Sequence, residues 1–245
     1  MVAAHVDARL RFAVPQLFTS ARVVIGVWAL LSAVLHQLDL AAGLLIIGVV
    51  TDALDGAAAR MLGVESAFGW LFDLFSDYLY YIVVPGVLSV ILSDAGSGPF
   101  AVLVLGLPFL TGAIRYARNF NLGLNDPLAG VSTPGLGTNL YAFFIVALVF
   151  LKREDAIQST TLQQLLLYAV PALSVLMIAP IRYPKLSRHN FVLIPVLVGL
   201  NAMPFVLTLP LAIVTLSLVA IYVVFSPLIV DQRRISPSAV LNRPD

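Results

Sequence analysis

Four aspartates fall in the run TDALDGAAARMLGVESAFGWLFDLFSDYLYY, residues 51–81, among mostly apolar neighbours. Asp52 and Asp55 are three apart, and Asp73 and Asp77 are four apart. On helices, each pair therefore shares a face. A turn is expected near residues 62–66. At 1.5 Å per residue, Asp55 and Asp73 each lie about 10 Å from it, and Asp52 and Asp77 each about 15 Å. Folded back as a hairpin, the two helices put Asp55 level with Asp73 and Asp52 level with Asp77. Gly56, Ala59 and Gly69 lie four residues from an aspartate, where small side chains let backbones approach and leave room for a ligand. An all-oxygen donor set with no His or Cys beside it favours a hard cation, Mg²⁺ or Mn²⁺. Two such ions could bind phosphate oxygens and stabilise an in-line displacement. Two other readings stay open from the residues alone. A membrane Asp often serves as a hydrogen-bond partner, and two pairs can line the ion path of a cation-coupled transporter.

The elements that must position these groups are membrane helices. The chain has 245 residues, of which 60% are hydrophobic and 11% charged. Its mean hydropathy is +0.98. A soluble domain carries about 25% charged residues, so an all-α polytopic membrane protein is expected. A net charge of +1 gives no footing for nucleic acid, and the absence of Cys excludes disulfides and thiolate chemistry. Eight spans are expected, near 17–36, 41–62, 67–92, 99–118, 136–151, 163–180, 190–207 and 209–228. A six-helix catalytic core would then carry two C-terminal helices, with a re-entrant or peripheral end as the alternative. The short loops carry turn residues, as in SDAGSGP and NLGLNDPLAG. The reading is one integral-membrane domain over 1–245, with a short N-terminal segment 1–16 and a tail 230–245. No signal-peptide core precedes a cleavage site, so the N-terminus is expected to stay in the mature protein.

Basic residues set the orientation. Arg9, Arg11, Arg60, Arg115, Arg118, Arg182, Lys185, Arg188, Arg233, Arg234 and Arg243 fall on one side of this layout. Lys152 and Arg153 fall on the other, beside Glu154 and Asp155. Both termini and the aspartate turn are therefore expected in the cytoplasm, under a plasma or inner membrane. At about 2.5–3.5 kcal/mol for each charge near a bilayer centre, four clustered carboxylates need compensation.

The spacing Asp52-x2-Asp55-Gly56-x2-Ala59-Arg60-x8-Gly69-x3-Asp73-x3-Asp77 resembles the signature of the CDP-alcohol phosphotransferase (CDP-alcohol phosphatidyltransferase) family, with every fixed position filled. The resemblance implies roles. Asp52, Asp55 and Asp73 would ligate two divalent metals. Asp77 would join the second metal and act as general base on the acceptor hydroxyl. Gly56 and Ala59 would let cytidine approach the helix, Arg60 would hold the phosphates, and Gly69 would belong to the same CDP site. The first helix, VPQLFTSARVVIG, is similar to the family's Pro-Asn-x-x-Thr-x-x-Arg opening, with Pro15, Thr19 and Arg22 matching and Gln16 replacing Asn. Thr19 and Arg22 are accordingly assigned to the CDP side. The family likeness also implies a homodimer, which small-residue helix faces permit.

RYARNFN at 115–121 and PLAGVSTPGLG at 127–137 resemble the phosphatidylserine synthase branch of the family. Tyr116 stands for Leu, Asn119 intervenes before Phe120, and Ser132 replaces a Pro. LMIAPIRYPKL at 176–186 is similar to that branch as well. On this likeness Arg115, Arg118, Ser132 and Thr133 would hold a serine carboxylate or a lipid phosphate, since arginine forks suit both. The same chemistry with choline, glycerol phosphate or inositol phosphate is the alternative. The arginines also serve as positive-inside anchors. His5, His36 and His189 stand isolated and carry no metal reading. Tyr81, four after Asp77, is read as core packing.

Overall fold

The computed structural model describes residues 2–64, 66–94, 98–123, 132–184 and 208–228; among these, the side chains of 2–12, 50, 53–60, 121–123, 208 and 211 fall outside the description. Helices dominate: α1 (Val2–Val34), α2 (Leu38–Leu62), α3 (Ala67–Tyr78), α4 (Val84–Ser93), α5 (Pro99–Gly123), α6 (Thr138–Arg153), α7 (Ser159–Ile178) and α8 (Thr208–Phe225). A π-helical turn, Leu79–Val83, joins α3 to α4, and a 3₁₀ turn, Ser226–Leu228, follows α8.

α1 and α2 pack along each other as a hairpin. α2 stops at Gly63, whose φ of 63° lies in the left-handed region that favours glycine after a helix. α3 then starts at Ser66, whose Oγ accepts from the Gly69 amide at 3.0 Å. This cap satisfies one of the orphan donors of the new helix. The expected turn between the aspartate helices is therefore formed by a glycine stop and a serine start.

The π turn has a local cause. Pro85 enters α4 at its first turn and has no N–H to return to the helix. The ladder widens just before it, with the Val84 amide donating to the Leu79 carbonyl, five residues back. The wider turn shifts the phase of the helix, and both Tyr80 and Tyr81 reach α2. The Tyr80 hydroxyl donates to the Leu44 carbonyl and accepts from the Gly48 amide at 2.8 Å. Gly48 has to be glycine here, because a Cβ would run into the Tyr80 ring.

α6 sits at the centre. Leu140, Tyr141, Ala142 and every residue from Phe144 to Leu151 are buried. It packs against α2, α4, α7 and α8. A helix apolar on all sides belongs in such a position.

Among the described residues, four stretches are long and apolar enough to cross a membrane: Ala13–Val34, Ala67–Ser93, Pro99–Phe120 and Ser159–Ile178. They match four of the eight expected spans. Helices also occupy the expected spans at 41–62, 136–151 and 209–228. Apolar described stretches there include Leu38–Val49 of α2 and Ala212–Leu228 of α8 and the turn that follows it. α6 has 16 residues, about 24 Å, against a hydrocarbon thickness of about 30 Å. The expected span 190–207 lies outside the described residues.

The all-α expectation needs one addition. Ser132–Pro134 (β1) and Arg182–Pro184 (β2) pair antiparallel, with Thr133 opposite Tyr183. Three-residue strands that each contain proline give no alternating pattern to read. The ribbon is held from α5: Arg118 donates from Nη2 to the Pro134 carbonyl at 2.7 Å and the Met177 carbonyl at 3.0 Å. Its Nη1 donates to the Ile178 carbonyl at 2.7 Å. Arg182 adds a bond from Nη1 to Ser132 Oγ at 3.2 Å.

Candidate active site

Three helices meet at the carboxylates. α2 supplies Asp52, and α3 supplies Asp73 and Asp77, whose four-residue spacing puts both on one face. One oxygen from each of the three lies within 4.8 Å of the others. Asp52 thus meets both α3 carboxylates, while the expected pairing of Asp55 with Asp73 lies outside the described residues.

The third helix supplies a cation. Arg22 of α1 is fully buried, and its nitrogens fan out over the cluster. Nη1 is bonded to Asp52 Oδ1 and lies 3.1 Å from Asp77 Oδ1. Nη2 is bonded to Asp73 Oδ1, and Nε donates to Ser76 Oγ at 2.8 Å. Only a planar, multi-donor guanidinium can serve that many partners from one position. The geometry places Arg22 on the carboxylates rather than at an open surface facing a nucleotide. Thr19, one turn earlier, is also buried, and its hydroxyl donates to the Pro15 carbonyl at 3.2 Å.

Asp52 is held on both oxygens. Oδ1 meets Arg22, and Oδ2 accepts from the Tyr81 hydroxyl at 3.1 Å. Gln16, standing where the family opening has Asn, packs at the start of α3: a Cβ on Gly69 would lie 2.8 Å from its Nε2. Asp55, Gly56, Ala59 and Arg60 lie on the following turns of α2. Their side chains are outside the described residues, so the roles expected of them fall there too.

The presumed acceptor side shows a division between the two arginines of α5. The terminal nitrogens of Arg118 are committed to three carbonyls, which hold the ribbon and the end of α7. Arg115 is buried, its Nε has no hydrogen-bond partner among the described residues, and its guanidinium carbon lies 5.9 Å from the Tyr116 ring centre. Ser132 is paired with Arg182, and Thr133 occupies the middle of β1. Of the segment 127–137, residues 127–131 lie outside the described residues.

Ser76 and Tyr80 were not singled out as site residues by their spacing, and Tyr81, four after Asp77, was read as core packing. Ser76 immediately precedes Asp77 and offered no signal of its own. The tyrosines depend on the π turn, and the only trace of that turn in the sequence is Pro85.

The donor set fits hard divalent ions: three carboxylates from two helices, converging, with side chains 20–36% exposed and so open on one side. The described carboxylates form an acidic cluster between α2 and α3, bonded to Arg22 of α1. The family model described as CDP-alcohol phosphatidyltransferase matches residues 12–176, and the chain belongs to that family. A CDP-diacylglycerol–serine O-phosphatidyltransferase from Helicobacter pylori (strain ATCC 700392 / 26695) is 30% identical over 176 residues, 71% of this chain and 73% of the relative. A protein of the same name from Mycobacterium leprae (strain TN) is 29% identical over 136 residues, half of this chain and 45% of that one. A phosphatidylcholine synthase from Borreliella burgdorferi (strain ATCC 35210 / DSM 4680 / CIP 102532 / B31) is 32% identical over 73 residues, 28% of this chain and 31% of that one. Membership makes the chain an enzyme of phospholipid synthesis and sets aside the ion-coupling alternative.

Proposed function

We propose that the chain transfers a phosphatidyl group from CDP-diacylglycerol, or an ether-lipid analogue, to the hydroxyl of L-serine and releases CMP. The observation that carries the choice of acceptor is Arg115, a buried guanidinium whose Nε has no hydrogen-bond partner among the described residues. Serine offers a carboxylate to such a group, whereas choline would bring a second fixed positive charge against it. The names of the Helicobacter and Mycobacterium relatives support serine, and that of the Borreliella relative keeps choline as the competing acceptor.

In this reading Asp52, Asp55, Asp73 and Asp77 hold two Mg²⁺ or Mn²⁺ ions. The ions, when bound, offset charge on the pyrophosphate and ease departure of CMP. The chain does the rest. Arg22 groups the carboxylates. Arg115 orients the acceptor through its carboxylate, and Arg118 fixes the ribbon that carries Ser132 and Thr133 beside it. Asp77 takes the hydroxyl proton as the serine oxygen bonds to the lipid-bearing phosphorus and the bond from phosphorus to the CMP oxygen breaks. One displacement without a covalent enzyme intermediate inverts a chirally labelled phosphorus; retention would sink that step. The reading further places eight spans in a single domain over 1–245, in the plasma or inner membrane as a homodimer, with the site and both termini facing the cytoplasm.

The test is purified protein with CDP-diacylglycerol, Mn²⁺ or Mg²⁺, and a panel of alcohols. Serine-dependent CMP release is expected. Release with choline and none with serine would overturn the acceptor.

A further inference from the structure

Tyr81 lies beyond the last aspartate of the family signature, and nothing in the proposed reaction uses it. It is 4% exposed, so its hydroxyl must find an acceptor inside the protein. The acceptor it meets is Asp52 Oδ2, at 3.1 Å, on a different helix. The other oxygen of the same carboxylate is held by Arg22, from a third helix. Two rotations would otherwise remain free to the Asp52 side chain, and this pair of contacts removes both.

The π turn is what makes the contact available. Tyr80 and Tyr81 are adjacent, yet both reach α2, Tyr80 at the backbone of Leu44 and Gly48 and Tyr81 at Asp52. One tyrosine fixes the seating of the helix and the other fixes the carboxylate it presents. π turns recur at functional sites because they re-aim side chains in this way. Carboxylates that ligate metals are commonly held by a hydrogen bond from outside the ligand set, and losing such a partner typically costs about 10- to 100-fold in metal affinity or activity.

We propose that Tyr81 is a positioning residue for Asp52, setting the orientation of that carboxylate for divalent-ion binding. This rests on the metal-dependent reading above. The test compares wild type, Tyr81→Phe and Tyr80→Phe as full-length protein in detergent. Mn²⁺ binding is followed by electron paramagnetic resonance, alongside thermal unfolding and the Mn²⁺ dependence of CMP release. Tyr81→Phe keeps the ring and loses only the hydroxyl. It is expected to weaken Mn²⁺ binding, and to raise the Mn²⁺ concentration for half-maximal rate, by about 10- to 100-fold, with much of the rate recovered at saturating Mn²⁺. Tyr80→Phe is expected to lower the unfolding temperature and leave Mn²⁺ binding unchanged. Equal Mn²⁺ affinity in wild type and Tyr81→Phe overturns the inference and leaves the metal reading standing. So does an equal loss in both tyrosine variants, which would mark a general packing effect. No Mn²⁺ binding by the wild type sinks both.

Discussion

The two ends of the helix bundle carry the same kinds of charge under opposite conditions. At one end Lys152 and Arg153 close α6 and lie 3.5 Å from Asp94 and 3.8 Å from Asp39, with every one of these side chains at least 31% exposed. At the other end a fully buried Arg22 spans Asp52, Asp73 and Asp77. Exposed pairs contribute about 0–1 kcal/mol, because water solvates either partner nearly as well. A buried charge that loses its partner costs about 3–5 kcal/mol, since nothing replaces it. The far end tolerates its charges; the site end depends on them. The residue types are alike, so the difference lies in which helices bring them together and how much water follows.

The largest effect should come from the member closest to the chemistry. Asp77→Asn is expected to lower CMP release by roughly 100- to 10 000-fold, the usual contribution of general acid–base catalysis. CDP-lipid binding should persist, as read by protection against thermal unfolding. Near-normal turnover would remove Asp77 from the role of base.

Arg22→Gln is the direct break of the cluster. It should destabilise the protein, seen as a lower unfolding temperature in detergent, by less than the roughly 3–5 kcal/mol of a fully buried pair, because water reaches the three carboxylates it leaves behind, which are 20–36% exposed. Arg22→Lys keeps the charge and loses the fork, and should recover only part of that loss. Full recovery by Lys would mean that charge alone matters at this position.

Gly48→Ala tests the seating of α2 without touching a charge. The new methyl meets the Tyr80 ring, and overpacking of this kind costs about 1–3 kcal/mol. Stability should fall. Tyr80→Phe keeps the ring in place, whereas the added methyl pushes α2 away from that ring, so turnover should also fall here because Asp52 rides on the same helix, one turn further on. A stable variant with full activity would show that the ring can move aside.

The smallest effect belongs to the far end. Arg153→Ala should change stability by no more than about 1 kcal/mol and leave CMP release at wild-type level. A large loss of activity there would erase the contrast between the two ends.

The site was legible in the sequence to the extent that it was local. Three- and four-residue spacings on α2 and α3 paired the aspartates, and counting back from one turn put Asp52 beside the α3 carboxylates, where the structure has it. The glycine stop at Gly63 and the serine cap at Ser66 came only with the structure. Arg22 stood in a motif, but its partners lie 30 to 55 positions away, and no local pattern says whether a guanidinium will face a nucleotide or three carboxylates. The same limit hid the separation of Arg115 from Arg118. They are three apart on one helix, and only the carbonyls of Pro134, Met177 and Ile178 tell them apart. Of the spans, α1, α3–α4, α5 and α7 were plain from apolar length. α2 was less so, because Asp39, Asp52, Asp55 and Arg60 interrupt its apolar sequence.

α6 carries a consequence for how the chain is assembled. Its packing partners α2 and α4 precede it, and α7 and α8 are made after it. Until those arrive, two sides of α6 must face something else. Polar groups there would have to be stripped of solvent twice, once on entering lipid and again on docking. From Tyr141 to Leu151 the segment YAFFIVALVFL carries no charge and one hydroxyl. A helix with that surface can wait in lipid and then exchange acyl chains for protein side chains at little cost. The uniformity that suits α6 to the middle of the finished bundle also suits it to the interval before the bundle exists.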